Sequence, residues 1–459
     1  MFPPHIWRTY DIRGRTPDEI TPALAGRLGQ AMGGLMRQRG AQTIVVARDA
    51  RESGPSIQAA LMAGLSAAGM AVVDIGMNPT PVMYFAVSAL GYDAGVIVTA
   101  SHNPRGYNGF KTRLGGEALF GDDIVRLRDT VEGDHLPTAP GGSVRAFDVR
   151  PAYIAHIAEG FRRPEGPLRV VIDAGNGAAG PMAVRLLSRL GCEVVPLYCD
   201  PDGTFPNHPA NPTVAKNLRD LQAAVRDTGA DLGVGFDGDG DRVGAVSADG
   251  ELFFGDRMLA VLAQDILSAG PAAVVADVKC SMALGDTVTR AGGTFELSQT
   301  GYPWIQKKMR ALGAPLGGEL SGHICFADRY YGFDDGLYAA SRVLELVADL
   351  PARMAALPRY PTIPELRLHT AEADKWSVPD RLLQSLRGYD LLTVDGVRFS
   401  TPTGWGLVRV SNTEPALTVR AEAHEGAELS RIVDEMLAAL SDMPVDIDLA
   451  PLHAARASL

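Results

Sequence analysis

Short apolar runs recur along the chain, each separated from the next by a stretch with helical spacing. Residues 43–47 (Thr-Ile-Val-Val-Ala), 71–75 and 94–98 (Ala-Gly-Val-Ile-Val) have the β-branched continuity of buried strands. Between them, residues 22–38, 56–69 and the segment opened by Asn78-Pro79-Thr80-Pro81 read as helices. The grammar then repeats. Strands at 168–173, 192–197 and 230–236 alternate with helices through Leu190 and over 218–228. A third round runs from a helix at 257–267 through a strand at 273–277 and two further helices to a closing helix at 336–350. Such alternation implies βαβ units built on largely parallel sheets. Residues 9–14 read as a polar turn, and 141–144 as a surface connection. Pro351, Pro358, Pro361 and Pro364 exclude a regular helix interior, so that stretch is expected to be a linker. Beyond it, apolar runs at 391–394, 406–410 and 416–422 predict an α+β layer of a different kind.

Composition narrows the picture. At ~100–200 residues per domain, 459 residues call for three or four domains. The expected boundaries are 1–145, 146–253, 254–357 and 358–459. A hydrophobic share of 46% with 21% charged residues is that of a soluble globular protein. The net charge of −11 offers no overall attraction to nucleic acid or an anionic membrane, though it allows a local basic pocket. Cys192, Cys199, Cys280 and Cys325 show no CxxC spacing and make no disulfide framework, as suits reduced thiols in the cytoplasm. The first residues lack the apolar stretch of a signal peptide, and no run is apolar enough to span a bilayer. A cytoplasmic protein is expected.

Candidate chemistry gathers in loops that follow apolar strands. Ser101 and His102 come directly after the strand at 94–98 and before the breakers Asn103-Pro104, at the strand end where open α/β sheets bind ligands. The alternative is a Ser-His-Asn turn capping backbone amides. Asp237, Asp239 and Asp241 alternate with glycines. Three carboxylates on one tight loop repel one another unless a cation lies among them, and hard oxygens suit Mg²⁺ or Ca²⁺. An EF-hand is excluded, because its sixth position would be Arg242 and its twelfth Ala248. The alternative is a solvated acidic turn. Arg242 beside a cation is useful only if a phosphate is also present.

Three further loops are less specific on their own. Gly175-x-Gly177-x-x-Gly180, with Asp200 downstream, matches the fingerprint of a dinucleotide site and raises a nicotinamide-dependent dehydrogenase as an alternative. That reading leaves the other loops unexplained, and a plain glycine-rich turn into a helix is preferred. Gly318-Glu319-Leu320-Ser321-Gly322-His323 could hydrogen-bond sugar hydroxyls or be an ordinary loop. Arg409, Ser411, Asn412 and Thr413 offer a guanidinium, hydroxyls and turn amides suited to a phosphate, or else a hairpin turn. Lys111 reads by default as a solvated surface lysine.

Taken together, these loops resemble the α-D-phosphohexomutase family, in its phosphomannomutase/phosphoglucomutase branch. The resemblance rests on Tyr10-Asp11-Ile12-Arg13-Gly14, Thr99 to Pro104, Asp237 to Arg242, Gly318 to His323 and Arg409 to Pro415, in that order along nearly the whole chain. It implies an α/β fold: three similar mixed-sheet βαβ-type domains plus a smaller α+β C-terminal domain around a central cleft. It implies interconversion of hexose 1-phosphate and hexose 6-phosphate, of mannose, glucose or both, through a phosphoserine and a 1,6-bisphosphate intermediate. By this resemblance Ser101 carries the phosphoryl group, and Ser101, Asp237, Asp239 and Asp241 hold Mg²⁺. Glu319 and Ser321 would bind sugar hydroxyls, Arg409, Ser411, Asn412 and Thr413 the non-reacting phosphate. Tyr10, Arg13, Lys111, Arg242, Lys279 and His323 would line the cleft, with Lys111 and His323 as candidate general bases. The expected partner is a small phosphosugar, activated by hexose 1,6-bisphosphate, with no nucleic acid or membrane, and the protein a monomer or dimer. A phosphoglucosamine mutase and a non-catalytic sugar-phosphate binder are the remaining alternatives. One departure stands out: Gly301-Tyr302 occupies the place of the family's usual Gly-His, and a phenol with a pKa of ~10 is a poor base near neutral pH.

Overall fold

A computed structural model describes residues 2–411 and 415–459. Four sheets follow one another along the chain. In the first, Thr43–Arg48 pairs in parallel with Ala71–Met77 and Ala94–Val98, and Tyr107–Leu114 returns antiparallel to Ala94–Val98. The second has Leu168–Asp173 parallel to Cys192–Leu197 and Leu232–Phe236, with Val243–Ser247 and Leu252–Phe254 added antiparallel. The third sets Ala273–Asp277 between parallel Thr294–Ser298 and Leu316–Gly318, with Ile324–Phe326 antiparallel at the edge. The fourth, from Thr362–His369 to Ala416–Ala423, is antiparallel throughout. The continuous apolar runs form the strands buried on both faces, as expected of parallel sheets covered by helices.

One apolar cluster runs through the first three units, from Val45 and Val73 through Val170 and Val234 to Val274 and Leu316. A separate cluster under the first sheet is built on Leu24, Leu28, Ile44 and Leu61. The C-terminal unit has its own core around Phe399, Val419 and Ile432.

Three local expectations are corrected. Residues 9–14 are not only a turn, since Ile12–Arg15 is a strand pairing with Tyr107–Leu114. Its partner lies more than ninety positions away, and four residues carry too little pattern to reveal it. Residues 141–144 are not a bare connection either: Ser143–Ala146 is an exposed edge strand on Ala71–Met77. The proline stretch is largely structured. Pro351 starts the short helix Leu350–Ala355, where its missing N–H costs nothing, and Pro364 sits in the edge strand Thr362–His369 beside a register shift.

Candidate active site

The chemistry-bearing loops leave the carboxyl ends of parallel strands. Ser101 follows Ala94–Val98, the acidic triplet follows Leu232–Phe236, Lys279 follows Ala273–Asp277 and Glu319 follows Leu316–Gly318. Ser101 is buried and holds φ 51°, a left-handed conformation rare outside glycine. Its N–H donates to Thr99 Oγ1 at 2.9 Å, and its Oγ lies 2.5 Å from Asp237 Oδ2 and 3.1 Å from His102 Nδ1. The acidic loop approaches this closely because residue 238 is glycine. A Cβ there would stand 2.5 Å from the Ser101 carbonyl oxygen.

The three aspartates are fully buried. Thr80 Oγ1, Thr99 Oγ1 and Lys111 Nζ all donate to Asp239 Oδ2, at 2.6, 3.1 and 2.8 Å. Lys111 also pairs with Asp241. Lys111 is therefore no surface lysine, because its strand carries the ammonium beneath two carboxylates. Burial alone would lower its pKa, but Asp239 and Asp241 outweigh burial and hold it well above the usual lysine value. Burial together with Asp239 and Asp241 pushes Asp237 up to about 8, while Lys111 overcomes burial at Asp239 and holds it down. Among the described residues, Asp239 Oδ1 and Asp241 Oδ1 are buried and accept no hydrogen bond. One oxygen from each aspartate lies within 4.8 Å of the others. An all-oxygen set with two orphaned atoms and an excess of negative charge fits a divalent cation.

The second and third sheets meet at this point. Arg242 and His323 form an isolated backbone bridge, and Arg242 Nε donates to His323 Nε2 at 2.9 Å. His323 Nδ1 contacts Asp334 Oδ2 at 2.7 Å, which fixes the tautomer with the proton on Nδ1. Burial would lower the His323 pKa, but Asp241 and Asp334 together raise it. Asp334 in turn accepts from Gln306, and Gln306 from Arg113 of the first sheet. Tyr302 starts the helix Tyr302–Leu312 with its ring edge-on to Tyr10 at 5.7 Å and tilted against His323 at 5.8 Å. Its hydroxyl is buried beside that of Tyr84, and burial raises its pKa further, which worsens it as a base.

Towards the C-terminal unit the contacts continue. Ser321 Oγ and the Gly301 N–H both donate to Glu319, at 2.7 and 2.6 Å. Thr300 N–H donates to Asp395 Oδ2, and Arg409 Nε donates to the same oxygen, each at 3.0 Å. Lys279 pairs with Glu365 at 3.0 Å and lies 3.7 Å from Asp277, which burial pushes up to about 6. Arg13 bridges Asp11 and Asn103 of the serine loop, at 2.5 and 2.6 Å. Lys375 Nζ donates to the Ser411 carbonyl at 2.9 Å. Asn412 and Thr413 lie outside the described residues.

A run of contacts thus joins Ser101, the acidic triplet, His323, Glu319 and Arg409 across four sheets. A cavity of about 250 Å³ lies against Ser101 and His102, walled by Thr204, Phe205 and Pro209. A larger one, about 590 Å³, opens beside Asn176, Arg185 and Asp200 and shares no lining residue with it. The glycine turn there does not cradle a dinucleotide. A Cβ on Gly177 would meet the Gly238 carbonyl at 2.8 Å and one on Gly180 the Cys199 carbonyl at 2.1 Å, so the protein itself fills the space a pyrophosphate needs. The N–H groups of Gly175, Asn176 and Ala178 are also taken, by Asp173, Tyr198 and Gly238. Arg51, Thr80 and Asp334 are not marked for chemistry by the sequence, and Thr99 enters there only as the first residue of the Thr99 to Pro104 motif. Arg51 carries a signal in the charged cluster at 48–51 that ends an apolar strand.

Comparison with known proteins bears on the family and the fold. Descriptions of phosphoglucomutase/phosphomannomutase alpha/beta/alpha domains I, II and III match residues 5–132, 151–250 and 254–359, and that of the C-terminal domain matches 342–439. A phosphomannomutase/phosphoglucomutase of Pseudomonas aeruginosa is 42% identical over 455 residues, covering 97% of this chain and 98% of that protein. A phosphoglucomutase of Neisseria meningitidis is 39% identical, covering 96% and 97%. The crystal structure of a phosphoglucomutase/phosphomannomutase family protein from Burkholderia thailandensis superposes with a TM-score of 0.91 at 42% identity, covering 98% of this chain and 100% of that one.

Proposed function

The chain belongs to the phosphoglucomutase/phosphomannomutase family, and on that premise we propose that it interconverts hexose 1-phosphate and hexose 6-phosphate through a phosphorylated Ser101. It is an enzyme of the phosphotransferase and isomerase kind. The observation that carries the reading is Ser101 Oγ at 2.5 Å from an acidic triplet that is itself linked, contact by contact, to Arg409. A nucleophilic oxygen, a cation-binding set and an anion clamp are what reversible phosphoryl transfer needs.

In this reading the Ser101 phosphoryl group passes to O6 of hexose 1-phosphate. The serine O–P bond breaks as its Oγ takes up a proton, an O6–P bond forms, and the O6 proton leaves to a base; the return step runs the same exchange in reverse, with O1 taking up the proton that Ser101 gives up. The resulting 1,6-bisphosphate turns over and returns its O1 phosphoryl group to Ser101, releasing hexose 6-phosphate. Lys111 donates into two carboxylates and has no lone pair to offer, so it and Arg242 stabilise charge on the phosphoryl oxygens. His323 has its one ring lone pair on Nε2, taken in this structure by Arg242 Nε, so it serves as the base once that arginine turns to the phosphoryl group. Asp237, Asp239, Asp241 and a Ser101 oxygen would hold a divalent cation, taken here as Mg²⁺, which supplies charge neutralisation when bound. Tyr10, Arg13 and Lys279 line the site, Glu319 and Ser321 take sugar hydroxyls, and Arg409, Ser411, Asn412 and Thr413 the distal phosphate. The proposed units are 1–145, 146–253, 254–357 and 358–459, acting in the cytoplasm on a free phosphosugar.

Relatives named phosphomannomutase/phosphoglucomutase support turnover of both sugars, and one named phosphoglucomutase supports the glucose form. A coupled assay primed with hexose 1,6-bisphosphate tests this on mannose 1-phosphate, glucose 1-phosphate and glucosamine 1-phosphate. Turnover of the first two with little of the third is expected. Preference for the amino sugar would transfer the chain to the phosphoglucosamine alternative, and binding without isomerisation would leave only a sugar-phosphate binder.

A further inference from the structure

Arg51 is 1% exposed and uses all five of its guanidinium N–H groups on the serine loop or on what supports it. Nη2 donates to the carbonyl oxygens of Ser101 and Asn103, at 2.8 and 2.6 Å. Nη1 donates to those of Pro104 and Tyr107, at 2.8 and 2.9 Å. Nε donates to Asp49 Oδ2 at 3.1 Å, and that same oxygen accepts from Thr99 Oγ1, which also reaches Asp239. The guanidinium lies 5.2 Å from the ring centre of Phe205, which belongs to the second unit. The bare Cα of Gly203 packs against the backbone at 50–52, where a Cβ would stand 2.6 Å from the Ala50 carbonyl.

We infer that Arg51 is the positioning residue of the phosphoryl-carrying loop: a planar fork that gathers four carbonyl oxygens and thereby holds Ser101 in its left-handed conformation, with Oγ facing the acidic triplet. This deepens the reading of Ser101 as phosphoryl carrier and rests on it. The strands on either side keep their own ladder bonds, Ala94–Val98 to both neighbours, so the sheet does not depend on Arg51. The loop does. A left-handed serine is a local strain that persists only where surroundings over-determine it; here Thr99 holds the Ser101 N–H and Asp237 its Oγ, while Arg51 gathers its carbonyl together with those of Asn103, Pro104 and Tyr107. Lysine cannot replace it, because three donors on a single nitrogen cannot span four carbonyls and a carboxylate lying in a plane.

The test uses the full-length enzyme and the variants R51K and R51A. Steady-state kcat and KM are measured alongside phosphate occupancy of Ser101, by mass spectrometry after incubation with hexose 1,6-bisphosphate. Expected are losses in kcat of about 100-fold for R51A and at least about 10-fold for R51K, with KM within about threefold, because the sugar and distal-phosphate contacts are untouched. Added guanidinium ion should restore part of the R51A rate. A folded R51K with kcat within twofold of the parent, or losses confined to KM, overturns the inference; if R51A does not fold, R51K decides alone. A parent enzyme that turns over while Ser101 never carries phosphate would instead remove the carrier reading beneath it. A parent that is phosphorylated normally beside an unimpaired R51K removes only the role of Arg51.

Discussion

The serine–aspartate end and the Arg409 end of the site are built differently. Ser101, Lys111 and the acidic triplet belong to units fused by one apolar core, and their polar atoms satisfy one another inside it. Arg409 belongs to a unit with its own core, joined to the third by a small apolar cluster of Val278, Trp405 and Leu407 and by polar ties such as Arg398 to the Val278 carbonyl, Arg420 to the Lys279 carbonyl and Ser281 to Glu422. At the first end the geometry is fixed before any ligand arrives, and what is left over is two orphaned carboxylate oxygens. At the second, each cation leans on a neighbouring carboxylate, Arg409 on Asp395 and Lys279 on Glu365, which a phosphate dianion can replace. In the proposed reading, pre-organisation is concentrated where bonds would change and exchangeable pairing where the substrate would be held, as differential stabilisation of the transition state requires.

That contrast can be broken from either end. The largest effect is expected at Ser101→Ala, which should lower kcat by at least about 10⁴-fold while leaving thermal unfolding within a few degrees of the parent; a coupled assay and a melting curve check both halves. Chelation should abolish turnover and added Mg²⁺ restore it, whereas activity indifferent to EDTA would leave the orphaned aspartate oxygens without a purpose. At the recognition end, Arg409→Ala should raise KM about 100-fold with a smaller change in kcat, since it removes a charge-assisted grip on a phosphate far from the breaking bond. Asp395→Asn keeps the oxygen that Thr300 and Arg409 share but removes its charge, so Arg409 is held less tightly and KM should fall about threefold at constant kcat, and a rise would mean that Asp395 orients the arginine rather than competing for it.

The smallest effect concerns pH. Asp277 is raised from an ordinary carboxyl value to about 6, so the folded protein binds its proton more tightly than the unfolded chain does. Its contribution to stability is complete below the ordinary value near 3.8, falls as pH rises towards 6, and is gone above. Asp277→Asn should lack that slope. Urea titrations between pH 4 and 7 should therefore show the variant gaining on the parent as pH rises, then running parallel to it.

The loops that matter were legible because each begins where an apolar run stops and a breaker follows. Ser101 and Asp237 read out that way, and the fold class with them, whereas Glu319 stands out by the serine and histidine set with it between glycines, the short strand Leu316–Gly318 before it carrying no pattern of its own. Residues whose meaning comes from a distant partner were not. Nothing near Lys111 in the chain announces that Asp239 and Asp241, some 130 positions on, will lie over its ammonium group. Arg51 reads as one charge in a charged cluster until the loop at 101–107 folds across it. Asp334 acquires its role only through His323 and Gln306. Ile12–Arg15 hid for the same reason, since an edge strand of four residues is defined by its ladder rather than by its own pattern.

The closeness of residue 238 to the serine carbonyl has a bearing on how such a chain can vary over generations. With a built Cβ only 2.5 Å from that oxygen, even the smallest side chain would push the acidic loop and the serine loop apart, so packing favours glycine at that spot down the lineage. A gene copy carrying alanine there is expected to encode a slower enzyme.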